Sequence, residues 1–143
     1  MATYQVNTMN DLRALTGMSN NQTAELLGYY TLNDFGAGNY PPDYVYNSTS
    51  TLVDNGGTII EPDNGIGRWI MDLNNQASTN ALWYGVSAED HPTRPTSPTD
   101  NHTRIENAAL DSLLPLHGLN GNCFLPVGSY QVIDTPRFVG SSY

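Results

Sequence analysis

The stretch "VDNGGTIIEPDNGIGRWIMDL", residues 53–73, makes one structural statement twice. Asp54-Asn55-Gly56-Gly57 is a turn sequence, and the β-branched pair Ile59 and Ile60 follows it directly, so it reads as a hairpin turn feeding a strand. Residues 63–67 repeat the formula and open a strand that carries Arg68 and Trp69. Gly56 and Gly57 are placed where a tight turn needs residues without a Cβ. Trp69 and Arg68 admit two readings, a core tryptophan with a surface arginine beside it or a partner-binding pair.

Upstream, "DYVYNSTSTL" (43–52) sets Tyr44 and Tyr46 two residues apart, the spacing that puts both on one face of a strand. Before it runs "LLGYYTLNDFGAGNY" (26–40). Its start continues the β-favouring segment 23–32, and residues 33–43 read as loop or bulge. Gly28 permits a bulge or a close approach ahead of Tyr29 and Tyr30, while Gly36 and Gly38 suit loop geometries that larger residues oppose. Tyr29, Tyr30, Tyr40, Tyr44 and Tyr46 combine apolar area with a polar tip, which fits subunit or particle contacts, plain core packing, or sugar stacking. At the N-terminus, Thr8 and Asp11 form a capping box for a short helix with Leu12 and Leu15 on its apolar face, stopped at Gly17.

The polar run "NNQASTN" (74–80) separates a module over 1–73 from a second over 81–143. In the second, "ALWYGV" (81–86) reads as a short apolar strand, with Trp83 an anchor between the modules. A proline-rich loop follows, then a helix capped by Thr99 or Asp100 whose packed stripe is Ile105, Ala109 and Leu113 and which ends at Pro115. Asn120-Gly121 is a further turn, and "CFLPVGSYQVID" (123–134) is a pair of strands bent at 126–128.

Composition narrows the function. The 143 residues carry a net charge of −9, with 14 acidic side chains, and the 5 basic ones are all arginine. Nucleic acids and anionic membranes attract basic stripes, so both are disfavoured as partners, and solubility accounts for the acidity. One cysteine, Cys123, allows no intrachain disulfide or cysteine-based metal site, and its setting is that of a buried small residue. No secretory signal and no apolar run of membrane-spanning length is visible. Glu89, Asp90, His91, Asp100 and His102 could on paper bind a metal or exchange protons, but a proline loop separates them. His117, past the helix end, needs only a surface or C-terminal dipole role, and no catalytic triad, nucleotide loop or carboxylate pair stands out. No cofactor, metal or catalytic residue is expected.

The ordered set Leu-Gly-Tyr-Tyr, glycine-rich loop, Asp-Asn-Gly-Gly and Gly-Arg-Trp, spread over residues 26–69, resembles the N-terminal module ahead of right-handed β-helices in bacteriophage tailspikes and pectate-lyase-like proteins. The second module, from "ALWYGV" through the helix to "LPVGSY", is similar to the opening of such a β-helix, where a helix caps the end of the solenoid. The chain departs from that pattern at "NDFGAGNY", at "PPD" (41–43) and in the proline-rich loop, and it holds only one coil. A solenoid needs roughly three repeats for stability, so one coil makes no enzyme groove, and the resemblance implies that enzymatic subsites would lie on later coils.

The resemblance implies a mainly β fold with two short helices: a small antiparallel module, then the helix-capped first coil of a right-handed β-helix. It implies a non-enzymatic homotrimeric spike component that joins a virion, tail or baseplate protein. Host polysaccharide would be met only through chain beyond residue 143, and the location would be a virion or phage-like particle. In that setting Tyr29, Tyr30, Tyr40, Tyr44, Tyr46, Arg68 and Trp69 would anchor, and Trp83, Ile105, Ala109 and Leu113 would cap. The competing readings are the leading fragment of a polysaccharide-degrading β-helix enzyme and a carbohydrate-binding module.

Overall fold

Thr8 closes the first local structure. Its hydroxyl accepts from the Asp11 N–H at 3.2 Å while the Asp11 carboxylate accepts from the Thr8 N–H at 3.1 Å, so the expected capping box is formed. The helix α1 spans Met9–Ala14 and buries Met9 and Leu12. It stops before Gly17, with Leu15 already extended at its C-cap, and Gly17 supplies a left-handed turn at φ +70° beyond it. The computed structural model describes residues 3–35, 41–73, 79–86, 101–111 and 123–125. They fall into two compact units, Met1–Asp72 and Leu73–Tyr143.

The first unit holds one five-stranded sheet. Its strands are β1 (Tyr4–Val6), β2 (Thr23–Leu26), β3 (Asp43–Asn47), β4 (Ile59–Ile60) and β5 (Arg68–Met71), in the order β1-β2-β3-β5-β4. Two features correct the expected antiparallel meander. First, β1 pairs with β2 in parallel, Tyr4 facing Ala24 and Val6 facing Leu26, because α1 and the residues around it form the long crossover that parallel neighbours require. Second, the Asp54–Gly57 turn does not join paired neighbours. β3 pairs with β5, and β4 adds to the outer side of β5 through the hairpin at residues 61–67.

Alternation decides the core. Ala24 and Leu26, Tyr44 and Tyr46, and Trp69 and Met71 point inward from three neighbouring strands, and Leu12 of α1 and Ile60 of β4 are buried as well. Tyr46 faces Trp69 across β3 and β5, with ring centroids 5.2 Å apart and planes at 55°, a tilted pairing that suits aromatic quadrupoles. Each large side chain buried in this way contributes about 1.5–3 kcal/mol.

In the second unit, β6 (Thr79–Asn80) pairs in parallel with β7 (Cys123–Phe124). Thr79 and Asn80 are thus a buried strand rather than the end of a linker. The Asn80 side chain accepts from the Leu82 N–H at 3.0 Å and starts a 3₁₀ turn over Ala81–Tyr84, where a strand was expected. Gly85 ends that turn at φ +81°. The apolar run is therefore wound, and all four of its side chains are buried. Helix α2 spans His102–Asp111 and turns Ala108 and Asp111 fully inward, whereas Ile105 and Ala109 of the expected stripe are only half-buried. Thr79 Oγ1 donates to the Ala108 carbonyl at 2.8 Å, and the Tyr84 hydroxyl donates to the Asp111 carboxylate, so polar bonds set which face of α2 packs. Leu113, Pro115, the proline-rich loop and the bend at 126–128 lie outside the described residues.

Candidate functional site

Two turns of the first unit are bound into one joint. The Asp34 carboxylate, buried at 1% exposure, accepts from the backbone N–H groups of Tyr29 (2.7 Å), Tyr30 (2.8 Å) and Thr31 (3.1 Å). A carboxylate so bound closes residues 28–34 into a tight loop. Gly28 is obligatory there, because a Cβ at that position would lie 1.8 Å from the Thr31 carbonyl oxygen. It marks this turn, so the strand ends at Leu26 and Tyr29 and Tyr30 follow it on the loop. Asp34 escaped the sequence reading; the signal was an aspartate three to five residues after the amides that it holds.

The second turn is Asp54–Gly57. Asn55 Oδ1 accepts from the N–H groups of Gly57 and Ile59, both at 3.0 Å, and Gly56 takes φ +73°. Two phenols then fasten the turn from different elements. Tyr29 donates to the Gly56 carbonyl at 3.0 Å and Tyr44 to the Gly57 carbonyl at 2.6 Å. Tyr46 does the same for the hairpin between β4 and β5, donating to the Ile66 carbonyl at 2.7 Å.

The arginines of this unit face internal partners. Arg13 pairs with Asp54 and also donates to the Glu61 carbonyl at 3.0 Å. Burial pushes the Asp54 carboxyl up, but Arg13 and the N–H groups of Glu61 and Gly56 outweigh it and hold the carboxyl below its ordinary value. The hydrogen bond to Asp54 in turn raises Arg13, against its own burial. Arg68 reaches Glu61 at 2.7 Å, the Leu52 carbonyl at 2.6 Å and the Gly67 carbonyl at 2.6 Å.

Tyr44, Tyr46 and Trp69 thus lie in the core at 0–2% exposure, and from inside it they support the loops. Of the residues expected to anchor, Tyr29, Tyr30 and Arg68 reach the surface in part, and Tyr40 lies outside the described residues, as do Gly36 and Gly38. The rings of Tyr29 and Tyr30 are 4.9 Å apart. Among the described residues the most exposed apolar side chains of the unit are others: Val53 at 83% and Ile66 at 61%, with Leu32 and Leu52 near half. Trp83 is buried in the second unit. Cys123 is exposed, not buried as its setting suggested, although desolvation raises its thiol and the Thr79 hydroxyl acts the other way.

On the outer face of the sheet, Glu25 stands opposite Asp43, and the Asp72 N–H donates to the Asp43 carbonyl at 2.7 Å. Burial raises the Asp43 carboxyl, and the charges of Glu25 and Asp72 raise it further. Among the described residues no group of three or more His, Cys, Asp or Glu is disposed to hold a metal, and no helix is long and apolar enough to cross a membrane. Glu89, Asp90, His91 and Asp100 lie outside the described residues; His102 is 3.3 Å from Glu106, one helical turn on.

This small mixed sheet with self-closed loops, followed by a helix and a parallel strand pair, is a fold that the chain shares with phage tailspikes. Residues 5–74 match the family model of the phage tail protein small four-stranded beta-sheet domain, which covers the first unit from β1 to just past β5. Three solved structures share the fold. The tailspike gp49 of Acinetobacter baumannii bacteriophage Fri1, a capsular polysaccharide depolymerase, superposes with TM-score 0.58 at 24% identity over 77% of this chain and 18% of its own. Pantoea stewartii WceF, a glycan biofilm modifying enzyme with a tailspike-like parallel β-helix fold, gives 0.65 at 15% identity over 92% of this chain and 17% of its own. The tailspike of Acinetobacter phage vB_ApiP_P1 gives 0.57 at 23% identity, over 87% and 19%. The chain therefore spans less than a fifth of each of these proteins. No curated protein matches it.

Proposed function

We propose that this chain is the attachment end of a tailspike-like homotrimeric spike. Its first unit seats on a tail or baseplate protein of a virion or phage-like particle, and its second caps the N-terminal end of a β-helix. The observation that carries this reading is the family match over residues 5–74, which coincides with a unit whose loops are closed by internal hydrogen bonds. A block of that kind transmits force between two bodies without changing shape, as a joint must. Tyr29 and Tyr30, with exposed Leu32, Leu52, Val53 and Ile66, offer the apolar contact area, and Arg68 holds the Leu52 loop in place. In this reading the chain itself neither cleaves glycan nor contacts host polysaccharide.

The test uses tails purified from particles lacking their spikes. Added chain should sediment with them, and a Val53→Asp, Ile66→Asp chain should remain in the supernatant. Failure of the unaltered chain to sediment would overturn the reading, and sedimentation of both would move the attachment surface elsewhere. Cleavage of capsular polysaccharide by the chain alone would count for the enzyme instead.

A further inference from the structure

The two Asn-Gly pairs of the first unit share a sequence and differ in confinement. An Asn-Gly bond carries a slow intramolecular reaction. The backbone nitrogen of the glycine bonds to the asparagine Cγ and gives up its proton, the Cγ–Nδ2 bond breaks, and ammonia leaves. The resulting five-membered imide then takes up one water molecule and opens on either side, giving aspartate or isoaspartate. Glycine permits the reaction because no Cβ shields its nitrogen. What the fold controls is how often the asparagine side chain and the following amide come free together.

At Asn55 both are tied down. Its Oδ1 accepts from Gly57 and Ile59, its Nδ2 donates to Thr58 Oγ1 at 3.1 Å, and its N–H donates to the Ile59 carbonyl at 3.0 Å. The nucleophile of that pair, the Gly56 N–H, is held by Asp54 Oδ1 at 2.8 Å, and Asp54 is itself fixed by Arg13. At Asn64 the side chain is exposed at the tip of the hairpin between β4 and β5. Among the described residues its Oδ1 accepts only from the Ile66 N–H, at 3.0 Å, and the Gly65 N–H donates to the Pro62 carbonyl at 2.8 Å. Releasing the second pair breaks one side-chain bond and one turn bond, and releasing the first dismantles the turn on which Tyr29 and Tyr44 close.

We propose that Asn64 is a site of spontaneous deamidation and isoaspartate formation, with water as the only co-reactant, and that the fold protects Asn55. The product adds a carboxylate beside Asp63 and near the Glu61–Arg68 pair, since Glu61 Oε1 lies 3.6 Å from where a Cβ of Gly65 would stand. Isoaspartate also inserts a methylene into the main chain next to Gly65, which sits at φ +72°. The Ile66 N–H then loses its acceptor, and the bond from Tyr46 to the Ile66 carbonyl is pulled out of register.

The test is to incubate the full chain in mildly alkaline buffer, folded and in denaturant, and to follow both sites by peptide mass mapping with isoaspartate detection. In the folded chain Asn64 should convert on the order of ten times faster than Asn55 or more, from the extra hydrogen bonds that must open at Asn55. In denaturant the two rates should come together, and Asn64→Gln should abolish the folded-state product. Equal rates at the two sites in the folded chain, or protection of Asn64 as strong as that of Asn55, would overturn the proposal.

Discussion

The Tyr44 hydroxyl, on a side chain wholly buried in β3, donates to the carbonyl of Gly57 at 2.6 Å and so ties the centre of the sheet to the Asp54–Gly57 turn. Tyr44→Phe keeps the ring and leaves a buried carbonyl with one partner fewer. We expect a loss of about 1–3 kcal/mol, read as a lower urea midpoint with an unchanged slope. Tyr29→Phe removes the neighbouring bond at a half-buried site and should cost less. Equal losses would mean that burial does not set the strength of these two bonds.

Gly28→Ala should be far more damaging than Gly17→Ala. The first places a Cβ against the Thr31 carbonyl, and the second meets open space and only the strain of a left-handed backbone. Losses of about 3 kcal/mol or more and about 1 kcal/mol are expected. Thermal unfolding of the two variants compares them directly, and similar midpoints would contradict the close approach at Gly28.

The pH dependence has two opposed contributions. Asp54 has a folded-state pKa below its unfolded value, so its contribution is present above the unfolded value, near 3.9, and is lost as pH falls through the folded one. Asp54→Asn should therefore lower stability at neutral pH and flatten the acid limb of the stability curve. An acid limb unchanged by the substitution would show that other groups set it.

Asp43 works in the other direction. Its raised pKa makes the folded unit more favourable below the unfolded value, and that advantage is lost as pH rises through the folded one. Asp43→Asn should stabilise at neutral pH by less than about 1 kcal/mol, given its exposure, and should have no such benefit in acid. A loss at neutral pH would contradict the repulsion assigned to Glu25 and Asp72.

Local chemistry was legible and long-range pairing was not. The capping box at Thr8 and Asp11, the turns before Ile59 and Arg68, and the alternation of Tyr44 and Tyr46 each depend on neighbours within a few residues. The strand β1 went unread because it is three residues long, with only Val6 buried, and its partner comes after a helix. "ALWYGV" was misread because a short apolar run fits a strand or a buried turn equally well. The deciding features were the Asn80 side chain on the Leu82 N–H and the left-handed Gly85. The joint itself was only half legible. The glycines and tyrosines stood out, but nothing local says that Arg13 meets Asp54 or that the tyrosine tips end on Gly56, Gly57 and Ile66.

The central claim, a trimeric attachment joint, is tested most directly by the solution mass of the purified chain, measured by light scattering over a range of concentrations. A species near three times the 15.6 kDa of one chain is expected. A folded monomer at every concentration would contradict it.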